Sequence, residues 1–138
     1  MTTGPTDHSG MEILESAECF RLLASVPIGR VAYVADGAPR IFPVTFGVSE
    51  NHIAYRSGAG SKLDAAEMAR PIAFEVDDWD EAQRTGWSVV ASGRVHTVTD
   101  EDRVAQLEDL AVDPWLSGEE MEWVEITIDE ISGRRLPG

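Results

Sequence analysis

IFPVTFGVSENHIAYRSGAGSK, running from Ile41 to Lys62, has the pattern of a β-hairpin that ends in a ligand loop. β-branched and aromatic residues flank a short polar turn at Ser49-Glu50-Asn51, the composition of two strands joined tightly. The second strand closes on Arg56 and Ser57, and a Gly-rich loop then leads to Ser61 and Lys62. Two cations and two hydroxyls at one sheet rim suit a phosphate, which charge-assisted bonds hold better than neutral donors do. Gly58 and Gly60 let the backbone approach an anion and turn amides toward it. Lys62 opens a predicted helix, Lys62–Ala69, where a lysine is electrostatically misplaced unless an anion is near. The same residues also suit a plain strand-to-helix loop with solvated charges, and taken alone they leave the two readings even.

Upstream, SAECFRLLAS (Ser16–Ser25) opens on a capping residue and sets Cys19, Leu22 and Leu23 on one face, predicting a short helix that Pro27 ends. GRVAYVA (Gly29–Ala35) is the preceding strand, and Asp36-Gly37 is a tight-turn dipeptide. Ile41–Val48 returns from that turn. Pro43 lacks a donor, so that strand is expected to be interrupted, bulged or at an edge there. The first ten residues read as a loose tail, and residues 11–138 as one domain.

Downstream, Ile72–Val76 is a predicted strand running into Asp77-Asp78-Trp79-Asp80-Glu81, read as a solvated acidic loop. Gly86–Val98 is the longest extended run, with a bend or bulge at Gly93. Thr99–Leu110 begins TDED, a hydroxyl cap followed by acids, and predicts a helix. Asp113–Glu120, with Pro114 and Trp115, is a loop. Met121–Ile128 is the last strand, and Gly133–Gly138 closes the chain. About six strands with two or three short helices favour a barrel.

Composition narrows the function. The chain has 138 residues, 43% hydrophobic and 26% charged, which suits one globular domain. Eleven Lys and Arg against 25 Asp and Glu, net −14, leave little basic surface for nucleic acid. Any anionic ligand therefore needs a local cluster of cations. No stretch is long and apolar enough to span a bilayer, no leader precedes the domain, and the lone Cys19 fits a reduced, cytoplasmic setting. GAGSK lacks the glycine spacing of a nucleotide P-loop, and Gly86-Trp87-Ser88 lacks the second glycine of a nucleophile elbow. His8, His52 and His96 are far apart in sequence without acids or cysteines at ligand spacing, so no metal site is expected. His96 reads as a surface or packing residue.

LLASVPIGRVAYVADGAPRIFPVTFGV (Leu22–Val48), IAYRSGAGSKLDAA (Ile53–Ala66) and FEVDDWDEAQRTGWSVVASGRV (Phe74–Val95) together resemble the pyridoxamine 5'-phosphate oxidase-like superfamily of FMN-binding split β-barrels. The resemblance runs in order over roughly residues 11–136. It implies a mainly β fold, a six-stranded split barrel with a few short helices that forms a homodimer, with the cofactor at the subunit interface. By that resemblance Arg56, Ser57, Ser61 and Lys62 bind the phosphate, and Pro43, Val44 and Thr45 lie along the isoalloxazine ring. Trp87 and Ser88 approach its pyrimidine edge. Trp87 and Trp115 are equally ordinary as core or interface aromatics. The chain is shorter than authentic pyridoxamine phosphate oxidases and lacks their Arg/His-rich C-terminal segment, ending in ISGRRLPG.

The function expected is therefore an FMN-dependent oxidoreductase, exchanging hydride with a small organic substrate and offering no catalytic side chain of its own. The deazaflavin coenzyme F420 is the alternative, its longer anionic tail calling on Arg40, Arg84, Arg94, Arg134 and Arg135. A non-catalytic flavin carrier or sensor, and a bare dimerisation module, complete the range.

Overall fold

The computed structural model describes residues 4–57, 70–110, 112 and 121–137. Its elements are β1 (Glu12–Ile13), α1 (Ser16–Leu23), β2 (Ile28–Ala35), β3 (Ala38–Ser49), β4 (His52–Ser57), β5 (Pro71–Asp80), β6 (Thr85–Thr97), α2 (Glu101–Glu108) and β7 (Glu122–Leu136). All strand pairs are antiparallel, in the order β1-β7-β4-β3-β2-β5-β6, and β6 pairs again with β7. That last pairing closes six strands into a ring, with β1 added beside β7. The expected barrel is present. Among the described residues no helix is long and apolar enough to cross a membrane.

Local chemistry explains the joints. Asp36 and Gly37 carry φ of 52° and 73°, a turn that matches strand twist and joins Ala35 to Ala38. The register slips between Ser92 and Gly93, the bulge that Gly93 led us to expect. A Cβ on Gly93 would lie 1.8 Å from the Thr127 carbonyl oxygen, so only glycine admits that approach.

Side chains alternate between the barrel interior and its outside. Val31, Phe46, Ile53, Tyr55, Phe74, Val76, Val89, Val124 and Ile126 fill the interior, and the Phe46 and Phe74 rings meet edge to face at 4.8 Å. α1 adds Cys19, Leu22 and Leu23 to that core. α2 covers a separate outer patch, where Leu107 packs with Ala54, Val98 and Trp123.

Several boundaries differ from the sequence reading. The strand begun at Ile72 continues through Asp80, because Asp77, Asp78, Trp79 and Asp80 each have a partner on β6; the acidic segment is mostly strand, not loop. β7 continues past Ile128 to Leu136, since its last residues pair with β6 and with β1. Ser16 is the first helical residue and not the cap. In α2 the cap is Asp100, whose carboxylate accepts from the Arg103 amide at 3.0 Å, and not Thr99. Residues 4–10, expected as a tail, form a turn around Asp7, whose carboxylate accepts from the Ser9 and Met11 amides and from Arg134. The predicted helix Lys62–Ala69 and the loop Asp113–Glu120 lie outside the described residues.

Candidate cofactor site

The site is built from the last two residues of β4. Arg56 sits opposite Trp123 on β7, and its guanidinium lies 4.8 Å from the centre of that indole ring. Such stacking fixes the plane of the cation. Its Nη2 donates to both oxygens of Glu108 on α2 at 2.5 Å, and the Trp123 Nε1 donates to Glu108 Oε1 at 3.0 Å. The indole donor, ahead of the Arg56 charge, holds the Glu108 carboxyl below its usual range. Ser57 is buried at 1% exposure. Ser61 and Lys62 lie outside the described residues.

Pro43, Val44 and Thr45 stand on the neighbouring strand. Among the described residues, β3 pairs with β2 from Ala38 to Thr45 but with β4 only from Phe46 to Ser49, so no described strand lies along its other edge from Ala38 to Thr45. Pro43 therefore sits at an edge of the described sheet, without a break or bulge, one of the three outcomes the sequence allowed. Hydrogen-bonded and open pairs alternate back from the Asp36-Gly37 turn, which sets Arg30↔Pro43 as an open pair and Gly29↔Val44 as a bonded one. The missing proline donor thus falls on that other edge, where it costs no ladder bond to a described strand. The Val44 amide is engaged with β2, and the Thr45 amide faces that other edge. Thr45 adjoins Arg56, because the next pair along the ladder is Phe46↔Tyr55.

A phosphate-bearing ligand finds matching chemistry here. A stacked guanidinium, a serine and a stretch of β3 with no described partner strand on one side lie near one end of β4. One row inward, Phe46, Tyr55, Val124 and Thr97 lie opposite one another across four strands. The Thr97 hydroxyl oxygen in that row is buried without a hydrogen-bond partner. Burial pushes the Tyr55 phenol up, so it stays neutral.

Trp87 and Ser88 are not part of this cluster within one chain. They pair with Arg135 and Arg134 near the far end of β7, whereas Arg56 pairs with Trp123 near its start. At about 3.3 Å per residue that separation is on the order of 40 Å of strand, less where the strand bends. Trp87 packs half-buried against the core.

One cluster escaped the sequence reading. Glu125, 4% exposed, accepts from Arg103 Nε at 2.8 Å, and Nε2 of His52 and of His96 lie 3.7 and 3.5 Å from its Oε1. His96 faces Glu125 directly across the ladder and is exposed, the surface residue the sequence suggested. The alternation of Met121–Ile128 held the signal, since it puts Glu125 on the face that α2 covers. Among the described residues no group of His, Cys, Asp and Glu has the arrangement of a metal site.

The comparisons with known proteins agree with this architecture. The family model described as pyridoxamine 5'-phosphate oxidase matches residues 15–135. The uncharacterized protein Rv0080 of Mycobacterium tuberculosis is 36% identical over 109 residues, 75% of this chain and 71% of its own length. The FAD binding protein from Mycobacterium smegmatis is 35% identical and superposes with a TM-score of 0.78, covering 91% of this chain and 99% of that one. A pyridoxamine 5'-phosphate oxidase homologue from Corynebacterium glutamicum is 30% identical, with a TM-score of 0.82 over 93% of this chain and 99% of its own. A FAD-binding protein from Mesorhizobium loti is 26% identical, with a TM-score of 0.80 over 92% and 99%. With the model spanning nearly the whole barrel, this chain belongs to the pyridoxamine 5'-phosphate oxidase family.

Proposed function

We propose that this chain binds a flavin nucleotide and acts as an oxidoreductase in a homodimer. The observation that carries the reading is Arg56, stacked on Trp123 at the end of β4 beside Thr45 of β3. Arg56, with Ser57, Ser61 and Lys62, grips the phosphate nearest the ring. Thr45, with Pro43 and Val44, lines the ring, and the barrel rim keeps water from one face. When bound, the flavin supplies the two-electron redox step; the protein anchors and orients it. The substrate is a small organic molecule, and no described side chain here is assigned a proton transfer.

FMN and FAD share the ring and that first phosphate. Two solved relatives are named for FAD, which favours the dinucleotide over the FMN that the phosphate cluster alone suggests. Coenzyme F420 is less favoured: Arg134 is engaged by Asp7, and Arg135 by Glu12 and Glu18, which draws them away from an anionic tail.

A second copy completes the arrangement. Val34 (54% exposed) and Ile41 (66%) lie on the outer sheet face with Ala32, Pro39 and Ala73, joined through the pairs Val34↔Pro39, Ala32↔Ile41 and Ala32↔Ala73. A contiguous apolar face of this kind suits a self-complementary interface. A pocket between two copies can then draw the Arg56 end from one and the Trp87 end from the other. The setting consistent with the lone buried Cys19 is the cytoplasm.

Purified protein is expected to carry or take up a yellow flavin, identified as FAD, FMN or F420 by mass spectrometry after release. Bound flavin without turnover of any electron acceptor would favour a carrier or sensor. Protein that stays colourless, with tryptophan fluorescence unmoved by all three cofactors, would overturn the proposal.

A further inference from the structure

Glu108 is the last residue of α2, whose final turn holds no basic residue and is followed by Asp109. Two carboxylates at the negative end of a helix are unfavourably placed. What offsets this for Glu108 is Arg56, together with the Trp123 indole donor. The Glu108 side chain is 50% exposed, so it swings into water at little desolvation cost. Its two oxygens share one guanidinium nitrogen, Nη2, in a charge-assisted contact of the kind phosphate oxygens also make.

We propose that Glu108 is a built-in stand-in for the ligand's phosphate: it holds Arg56 over Trp123 until a phosphate competes for the guanidinium, and so sets how tightly the nucleotide binds. The inference rests on Arg56 being the phosphate ligand. Glu108 keeps the stacked geometry ready and prevents the cation from pairing with another of the chain's many acids. The cost is competition, since a phosphate must displace a carboxylate already in place. Trp123 reports the exchange, because its Nε1–H loses the charged acceptor when Glu108 leaves.

The test compares wild type, Glu108→Gln and Arg56→Ala. FMN and riboflavin are titrated by flavin fluorescence, and inorganic pyrophosphate is titrated while the Trp123 indole N–H resonance is followed. Glu108→Gln should bind FMN roughly two- to five-fold more tightly than wild type, the range an exposed ion pair spans, with riboflavin unchanged. Pyrophosphate should move the wild-type Trp123 signal toward its position in Glu108→Gln, and should leave Arg56→Ala unmoved. Equal or weaker FMN binding by Glu108→Gln would overturn the proposal, as would a Trp123 signal indifferent to pyrophosphate. If no flavin binds any of the three proteins, the flavin reading fails, and the pyrophosphate titration still decides the role of Glu108.

Discussion

Arg103 Nη2 lies 2.6 Å from Glu125 Oε2, so a helix and a barrel strand are joined by an ion pair whose acid is almost wholly buried. The other carboxylate oxygen faces His52 and His96. Removing the cation strands a charge under α2, which is far more costly than never having had the pair. Arg103→Ala is expected to lower stability by about 3 kcal/mol, whereas replacing both partners, Arg103→Met with Glu125→Leu, costs less. Urea unfolding of the two variants checks the order. A double variant weaker than the single one contradicts this account.

Glu75 gives the fold a pH signature. Burial first, then hydrogen bonding and repulsion from Asp77, push its carboxyl from the ordinary 4.5 to about 7, against the opposing pull of Arg30. The folded state therefore holds a proton that the unfolded chain has released, and stability falls as pH rises from 4.5 through 7, then levels. Thermal melts across that window should show the decline, and Glu75→Gln should flatten it. An unchanged slope in the variant would assign the pH dependence to other groups.

Two glycines should respond differently to alanine. At Gly93 the added methyl meets the Thr127 carbonyl oxygen at 1.8 Å, so the β6–β7 ladder must open, at a cost of about 3 kcal/mol. At Gly37 the methyl meets nothing within 4 Å, and only the positive φ of 73° is strained, costing about 1 kcal/mol. Denaturant midpoints of the two variants test the contrast.

Cys19 should be chemically silent. It has no exposed surface, and burial, aided by the Glu18 charge, pushes its thiol up. Thiolate reagents are expected to label it only as fast as the protein unfolds. Rapid labelling of native protein would mean that α1 opens locally.

The parts of the fold legible in the sequence were those written in local chemistry. Asp36-Gly37 marked its turn and Gly93 its bulge. The end of β7 was not legible, because Gly133, Arg134 and Arg135 look like a tail until β1 and β6 supply partners. Asp77–Asp80 hid a strand for the same reason: ladder bonds to β6 outweigh poor strand propensity. At the candidate site, Arg56 was visible as a cation beside glycines. Its pairing with Glu108 and stacking on Trp123 depend on residues 52 and 67 positions away, which no short motif records. The Glu125 cluster was likewise assembled from four elements, β4, β6, α2 and β7.

β7 has a consequence for biogenesis. It is the last described element to emerge from the ribosome, yet it alone joins β4 to β6 and shelters β1. Until it arrives, the nascent sheet presents raw borders on β4 and β6, the kind of surface that invites pairing between chains. Synthesis of this barrel is therefore most exposed to aggregation just before one long strand zips the wall shut.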